Sequence, residues 1–326
     1  MATEPLRGDG AARLAWLDAA RGLGIVLVVA GHTFNDPLIR SPIFLFHMPL
    51  FFLLAGYTMK AEPFGGMFVK RVRSLLVPYL SFFVLVTAID VALGRVFDHP
   101  VSLDWNHPLG ALGTALYGGQ MLKGSYAVFW FITCLFAAQM VFGWLLARLP
   151  DLRDLRWAPI LLACLGLTCL AHRLSPSPWN IAVAPAALLF LYAGQALRRH
   201  GDAVPWPADL AAAAAAIGSL FVAAPLDMKY ALFGTPVVSL IAAALLSYSF
   251  IRACQLLARI PVLVDGLVWL GQASLTVMFL HMTIIFHFHA RLGAPLAFVL
   301  AGVLPLLLYP VIRASALGRR LLLGGR

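Results

Sequence analysis

The chain has 326 residues, 61% of them hydrophobic and only 12% charged, with a formal net charge of +10. A soluble domain of this length carries about twice that charged fraction. The apolar residues also come in blocks approaching the ~20 residues that a hydrocarbon core of ~30 Å demands, which excludes a soluble enzyme and, for want of short alternating strands, a transmembrane β-barrel.

The expected fold is an all-α, polytopic transmembrane helical bundle, a single domain over 1–326 embedded in the lipid bilayer. Ten candidate spans run in chain order at about 15–34, 42–59, 75–94, 126–147, 157–172, 180–197, 207–224, 234–256, 263–287 and 294–314. The polar start MATEPLRGDGAARLAW precedes an apolar run without a small-residue cleavage site. It reads as a short tail, 1–14, before a retained first helix, not as a signal peptide. With the N-terminus inside, seventeen of the 24 Lys and Arg residues fall in inside segments and six outside, Arg21 lying within the first span. That asymmetry puts both termini, including a tail at 315–326, in the cytosol. It also explains the positive charge as topology, so no nucleic-acid partner is expected. No internal repeat is visible, which disfavours the repeat-built transporter folds. Cys134, Cys164, Cys169 and Cys254 lie in or beside apolar segments without a CxxC pair, and read as small core residues.

An ionisable group at membrane depth is costly and is a functional candidate by default. In the first span, Arg21 and His32 are eleven residues apart. On a helix this is three turns plus about 20°, so both project from one face, separated by about 16 Å along the axis. With the N-terminus inside, Arg21 lies inward and His32 outward. Asp18 is one turn before Arg21 and can neutralise it, and Asp36, one turn after His32, is placed to orient its imidazole. In the second span, SPIFLFHMPLFFLLAGY, His47 comes to a similar depth as His32, beside Pro49. The inner connector KAEPFGGMFVKRVRS clusters Lys70, Arg71 and Arg73 at the mouth of the third span. The cluster serves either as positive-inside charge or as a grip for phosphates. The longest connector, 95–125, is rich in polar and aromatic residues and is either a solvated link or a sugar-binding surface. In the ninth span, SLTVMFLHMTIIFHFHA, His281 falls in the outer half, while His287 and His289 are expected at the interface. No HExxH pattern is present and no metal is expected.

At these residues the sequence resembles the acyltransferase 3 family of membrane acyltransferases. WLDAARGLGIVLVVAGHT resembles that family's first helix, in which ten residues separate a basic residue from a histidine, here Arg21 and His32. FHMPLFFLLAGY, KRVRSLLVPY, YAVFWFITCLF with Trp130, and LGQASLTVMFLH ending in His281 resemble later motifs. At the start of the third helix the family often has two arginines separated by two residues. Here Ser74 follows Arg71 at that spacing, and Lys70 with Arg73 is the alternative pairing. The resemblance implies O-acylation of carbohydrate in a bacterial inner membrane. The donor substrate would be acetyl-CoA or another acyl-CoA on the cytosolic side, with no tightly bound cofactor. The acceptor would be an extracytoplasmic or lipid-linked glycan, the chain being most similar to fucose 4-O-acetylases and polysaccharide O-acetyltransferases. His32 would act as general base, or as a transient acyl acceptor, with His47 assisting. Arg21 would guide the donor, Lys70, Arg71 and Arg73 would hold its phosphates, and Trp130 would meet the acceptor. A transporter or flippase of a glycan precursor is the competing class.

Overall fold

The computed structural model describes residues 9–325, with side chains from residue 15. Most of the expected N-terminal tail, and Arg326, therefore lie outside the described residues. Among the described residues twelve α-helices follow in order: α1 (Asp9–Thr33), α2 (Pro37–Thr58), α3 (Phe64–Arg71), α4 (Val77–Phe97), α5 (Pro108–Tyr117), α6 (Trp130–Arg148), α7 (Trp157–Leu170), α8 (Ala184–His200), α9 (Trp206–Ser219), α10 (Pro236–Leu257), α11 (Pro261–Ala314) and α12 (Ala316–Leu322). Among the described residues there is no strand, only an isolated bridge between Asp227 and Leu232.

Among the described residues, eight helical stretches are long and apolar enough to cross a bilayer. The last of them, α11, is broken at Gly293, whose φ of 76° only glycine adopts readily. It thus accounts for both spans expected over 263–287 and 294–314. The seventh expected span is the exception. Its helix α9 has 14 residues, about 21 Å at 1.5 Å per residue, shorter than the hydrocarbon core. Leu80, Val84, Leu162 and Phe221 are among many large apolar side chains left exposed on the periphery, as expected where lipid is the solvent.

Two close helix approaches position the interior. A Cβ on Gly271 of α11 would collide with the Asp18 carbonyl of α1, and one on Gly22 would sit 2.8 Å from the Gly271 nitrogen. Small residues let helix backbones approach this closely in membranes. From this crossing α1 and α11 run parallel, so that His281, ten residues beyond Gly271, arrives beside His32, ten residues beyond Gly22. Similarly, Gly56 of α2 and Gly194 of α8 each face the other helix's backbone. There Gln195 donates to the Gly56 and Met59 carbonyls at 2.6 and 2.7 Å, and Arg198 donates to Met59 at 2.7 Å. These bonds close the C-terminus of α2, whose last carbonyls have no partner within the helix.

Between α3 and α4, residues Val72–Leu76 form a π-helical turn in which Val77 N–H donates to the Val72 carbonyl. Pro78, lacking an N–H, cannot continue the α-helical ladder to Ser74, which accounts for the change of register. Such turns recur at functional sites, and this one carries Arg73 and directly follows Lys70 and Arg71.

Candidate active site

The bundle interior holds a series of cavities joined by shared residues. At one end, which we term the basic end, Gly65, Lys70, Arg71, Arg73, Ser74 and Gly324 line an open mouth. Arg71 and Ser74 also line an inner cavity of about 130 Å³, whose wall includes Arg21, Thr58, Leu135, Gln139 and Ser274. Ile25, Phe51, Phe131 and Met278 close that cavity at its other end. The same four residues form the floor of an outer cavity of about 200 Å³ that contains His32 and His47. An apolar collar therefore separates an arginine-bearing chamber from a histidine-bearing one.

Arg21 and His32 project toward this axis from α1, one in each chamber. Arg21 is paired with Asp18 at 3.1 Å, one turn away. His32 stacks on His281, ring centroids 5.5 Å apart, and meets His47 edge-on at 6.2 Å. His47 and His281 are both buried. The Nδ1–H of His47 donates to the Ile43 carbonyl at 2.8 Å and that of His281 to Val277 at 2.9 Å. Because the carbonyls can only accept, both rings carry their proton on Nδ1 and keep a lone pair on Nε2. Trp130 is buried in the outer cavity wall. Lys70 is exposed and lies 3.4 Å from Glu62, and Arg73 is exposed at the mouth.

Two placements differ from the sequence reading. Asp36 does not orient His32. It is exposed at the N-cap of α2, where its carboxylate accepts from Leu38 N at 2.9 Å, because a helix N-terminus offers free N–H groups and the matching dipole. His287, expected toward the outer end of its span, is not left to solvent: it is 1% exposed and donates from Nε2 to Asp90 at 2.8 Å. Asp90, fully buried on α4, also accepts from Ser125 Oγ at 2.5 Å, Ser102 N at 2.7 Å and Ser102 Oγ at 3.1 Å. The 95–125 connector, with α5 inside it, is thus fastened to α4 and α11.

Sequence reasoning assigned no role to Lys229. Its side chain is 9% exposed, reaches the outer cavity, and donates to the Leu122 carbonyl at 2.6 Å. The backbone beneath it is held by buried Asn180, which donates to the carbonyls of Met228 and Lys229. Burial pushes the ammonium down to about 8, against the opposing pull of Asp227, whose own carboxyl burial pushes up. The signal was present in APLDMKYALFG, where a lone lysine interrupts an apolar stretch, but a single outer cation also satisfies topology. Among the described residues no cluster of His, Cys, Asp or Glu is arranged to hold a metal. The acyltransferase 3 family model, described as an acyltransferase domain, matches residues 14–314. No curated protein and no solved structure matches the chain.

Proposed function

Since the chain belongs to the acyltransferase 3 family of membrane acyltransferases, we propose that it transfers an acyl group, acetyl in the simplest case, from a cytosolic acyl-CoA to a hydroxyl of an extracytoplasmic or lipid-linked glycan. The observation that carries this reading is the run of joined cavities from a basic mouth, past Arg21, to the histidines. A donor with phosphates at one end and a thioester at the other suits that order of groups. In this reading the basic end faces the cytosol of a bacterial cell, with both chain termini, in line with the charge asymmetry.

Lys70, Arg71 and Arg73 hold the CoA phosphates, which such groups bind with charge-assisted hydrogen bonds. The pantetheine arm has twelve chain atoms, the equivalent of four extended residues, and reaches about 14 Å. That is close to the ~16 Å rise from Arg21 to His32, so a thioester anchored at the inner chamber reaches the outer one through the collar. Trp130 and the 95–125 connector meet the sugar.

The chemistry follows from the groups in the outer cavity. An imidazole nitrogen of His32 takes the proton of the sugar hydroxyl as its oxygen bonds to the thioester carbonyl. The tetrahedral oxyanion is met by the Lys229 ammonium. Collapse breaks the carbon–sulfur bond. The leaving thiolate takes the proton from the imidazolium, so that an ester and free CoA leave and the histidine is neutral again. His47, with its Nε2 lone pair toward the same cavity, orients the hydroxyl and is the alternative base. His281 stacks behind His32 and fixes its ring.

The test is transfer of label from acetyl-CoA to glycan in membranes. His32→Ala and Arg21→Ala should each lower turnover by about 100-fold or more at equal expression, the usual worth of a positioned base. Near-wild-type turnover in both would refute the assignment. Accumulation of unmodified glycan across the membrane, without label in it, would mark a transporter instead.

A further inference from the structure

One buried polar side chain on the path has no task in the transfer chemistry. Gln139 stands on α6 in a stripe with Phe131 and Leu135, four residues apart, all facing the inner cavity. It is 3% exposed, and its amide oxygen has no hydrogen-bond partner among the described residues. Ser74 Oγ, at the joint between mouth and inner cavity, is likewise buried without a partner. Buried polar atoms are nearly always paired, and each exception calls for an explanation. A leucine at 139 would continue the apolar stripe without that penalty.

Both residues line one narrow chamber, and both side chains are neutral. A phosphate or carboxylate would find its partners among the arginines instead. What fits the neutral pair is a slender chain of methylenes interrupted by amide or hydroxyl groups. A glutamine carboxamide carries both an acceptor and two donors, so it can pair with the N–H or the C=O of such an amide.

We propose that Gln139 and Ser74 form the subsite that reads the amides of the donor's pantetheine arm, holding it between the basic mouth and the collar. The proposal rests on the acyl-CoA reading above. Gln139 is eight residues from Phe131, about 12 Å along α6 on the mouth side of the collar. With the sulfur at the collar, an arm of about 14 Å brings its phosphate-side amide to that depth, near the end that the mouth holds. The subsite sets how far the thioester advances toward His32 and distinguishes an acyl-CoA from a bare nucleotide.

The experiment compares binding of CoA and of adenosine 3′,5′-bisphosphate, which has the nucleotide end but no pantetheine arm, to the full-length protein in nanodiscs. Gln139→Met keeps size and removes hydrogen bonding. It should weaken CoA roughly tenfold, the worth of about one lost hydrogen bond, and leave the bisphosphate unchanged. Ser74→Ala, a milder change for the helix, should weaken CoA about threefold with the same selectivity. Unchanged CoA binding in both variants, or equal weakening of both ligands, would overturn the subsite while leaving the donor reading intact. A wild-type protein that binds neither ligand would overturn the donor reading itself.

Discussion

Replacing Asp90 with alanine should destabilise the fold more than any single change at the chamber walls. Asp90 is fully buried and accepts four hydrogen bonds, from His287 Nε2, Ser125 Oγ, Ser102 N and Ser102 Oγ. Alanine leaves these donors without their acceptor, each unpaired buried group costing on the order of 1–3 kcal/mol. The losses share one site and do not add fully, so a total of roughly 3–5 kcal/mol is expected, the range for breaking a buried ion pair. At ~2–4 °C per kcal/mol for a larger domain, the unfolding midpoint should fall by roughly 10 °C. The assay is the temperature at which detergent-solubilised protein loses its monodisperse elution peak, at fixed heating time because unfolding of such proteins is commonly irreversible. Removing both partners, in Asp90→Ala with His287→Leu, should restore part of the loss, since no imidazole is then left without its acceptor. A midpoint shift in Asp90→Ala no larger than that of an exposed substitution, about 0.5 kcal/mol, would refute the view that this cluster fastens the 95–125 connector to α4 and α11.

The remaining predictions concern the path itself. Met278→Trp enlarges a residue of the collar shared by both chambers; turnover should fall by at least tenfold while CoA affinity stays within about twofold, because the phosphate end is untouched. Activity should also decline as pH rises through about 8, where the buried Lys229 ammonium loses its proton. Its pKa is lowered in the fold, so the charge is present below that pH and absent above it, and a ten-fold loss per pH unit is the limiting slope. Lys229→Arg keeps the charge at all these pH values and should abolish the alkaline decline at whatever residual activity it retains. An unchanged alkaline limb in that variant would separate Lys229 from the oxyanion.

The parts legible in the sequence were those written in local patterns. Apolar blocks of bilayer length located the long helices, and the eleven-residue spacing put Arg21 and His32 on one face of α1. The Asp18–Arg21 pair followed from one turn of helix. What was not legible depended on long-range placement. His287 reads as interfacial by depth alone, and its burial follows from an aspartate 197 residues away. Asp36 was assigned by proximity to His32 along the chain, but the free N–H groups of α2 compete for its carboxylate and win. The shortness of α9 was hidden by the Ala-rich composition of 207–224, which favours helix without indicating where it stops. Gln139 is the one carboxamide in the Trp130–Arg148 helix, and an isolated polar residue there was a signal for a cavity that only the tertiary arrangement of α1, α2, α6 and α11 around it could locate.

In the proposed transfer the donor enters at the basic end and the acyl group leaves at the other. Purified protein reconstituted in vesicles, with orientation read from protease access to the C-terminal tail, allows acetyl-labelled CoA, which does not cross the bilayer, to be supplied on one face only. Label should appear in glycan acceptor confined to the opposite face, and only when CoA is on the side bearing Lys70, Arg71 and Arg73. Label appearing only in acceptor on the same face as the CoA would refute that direction of transfer.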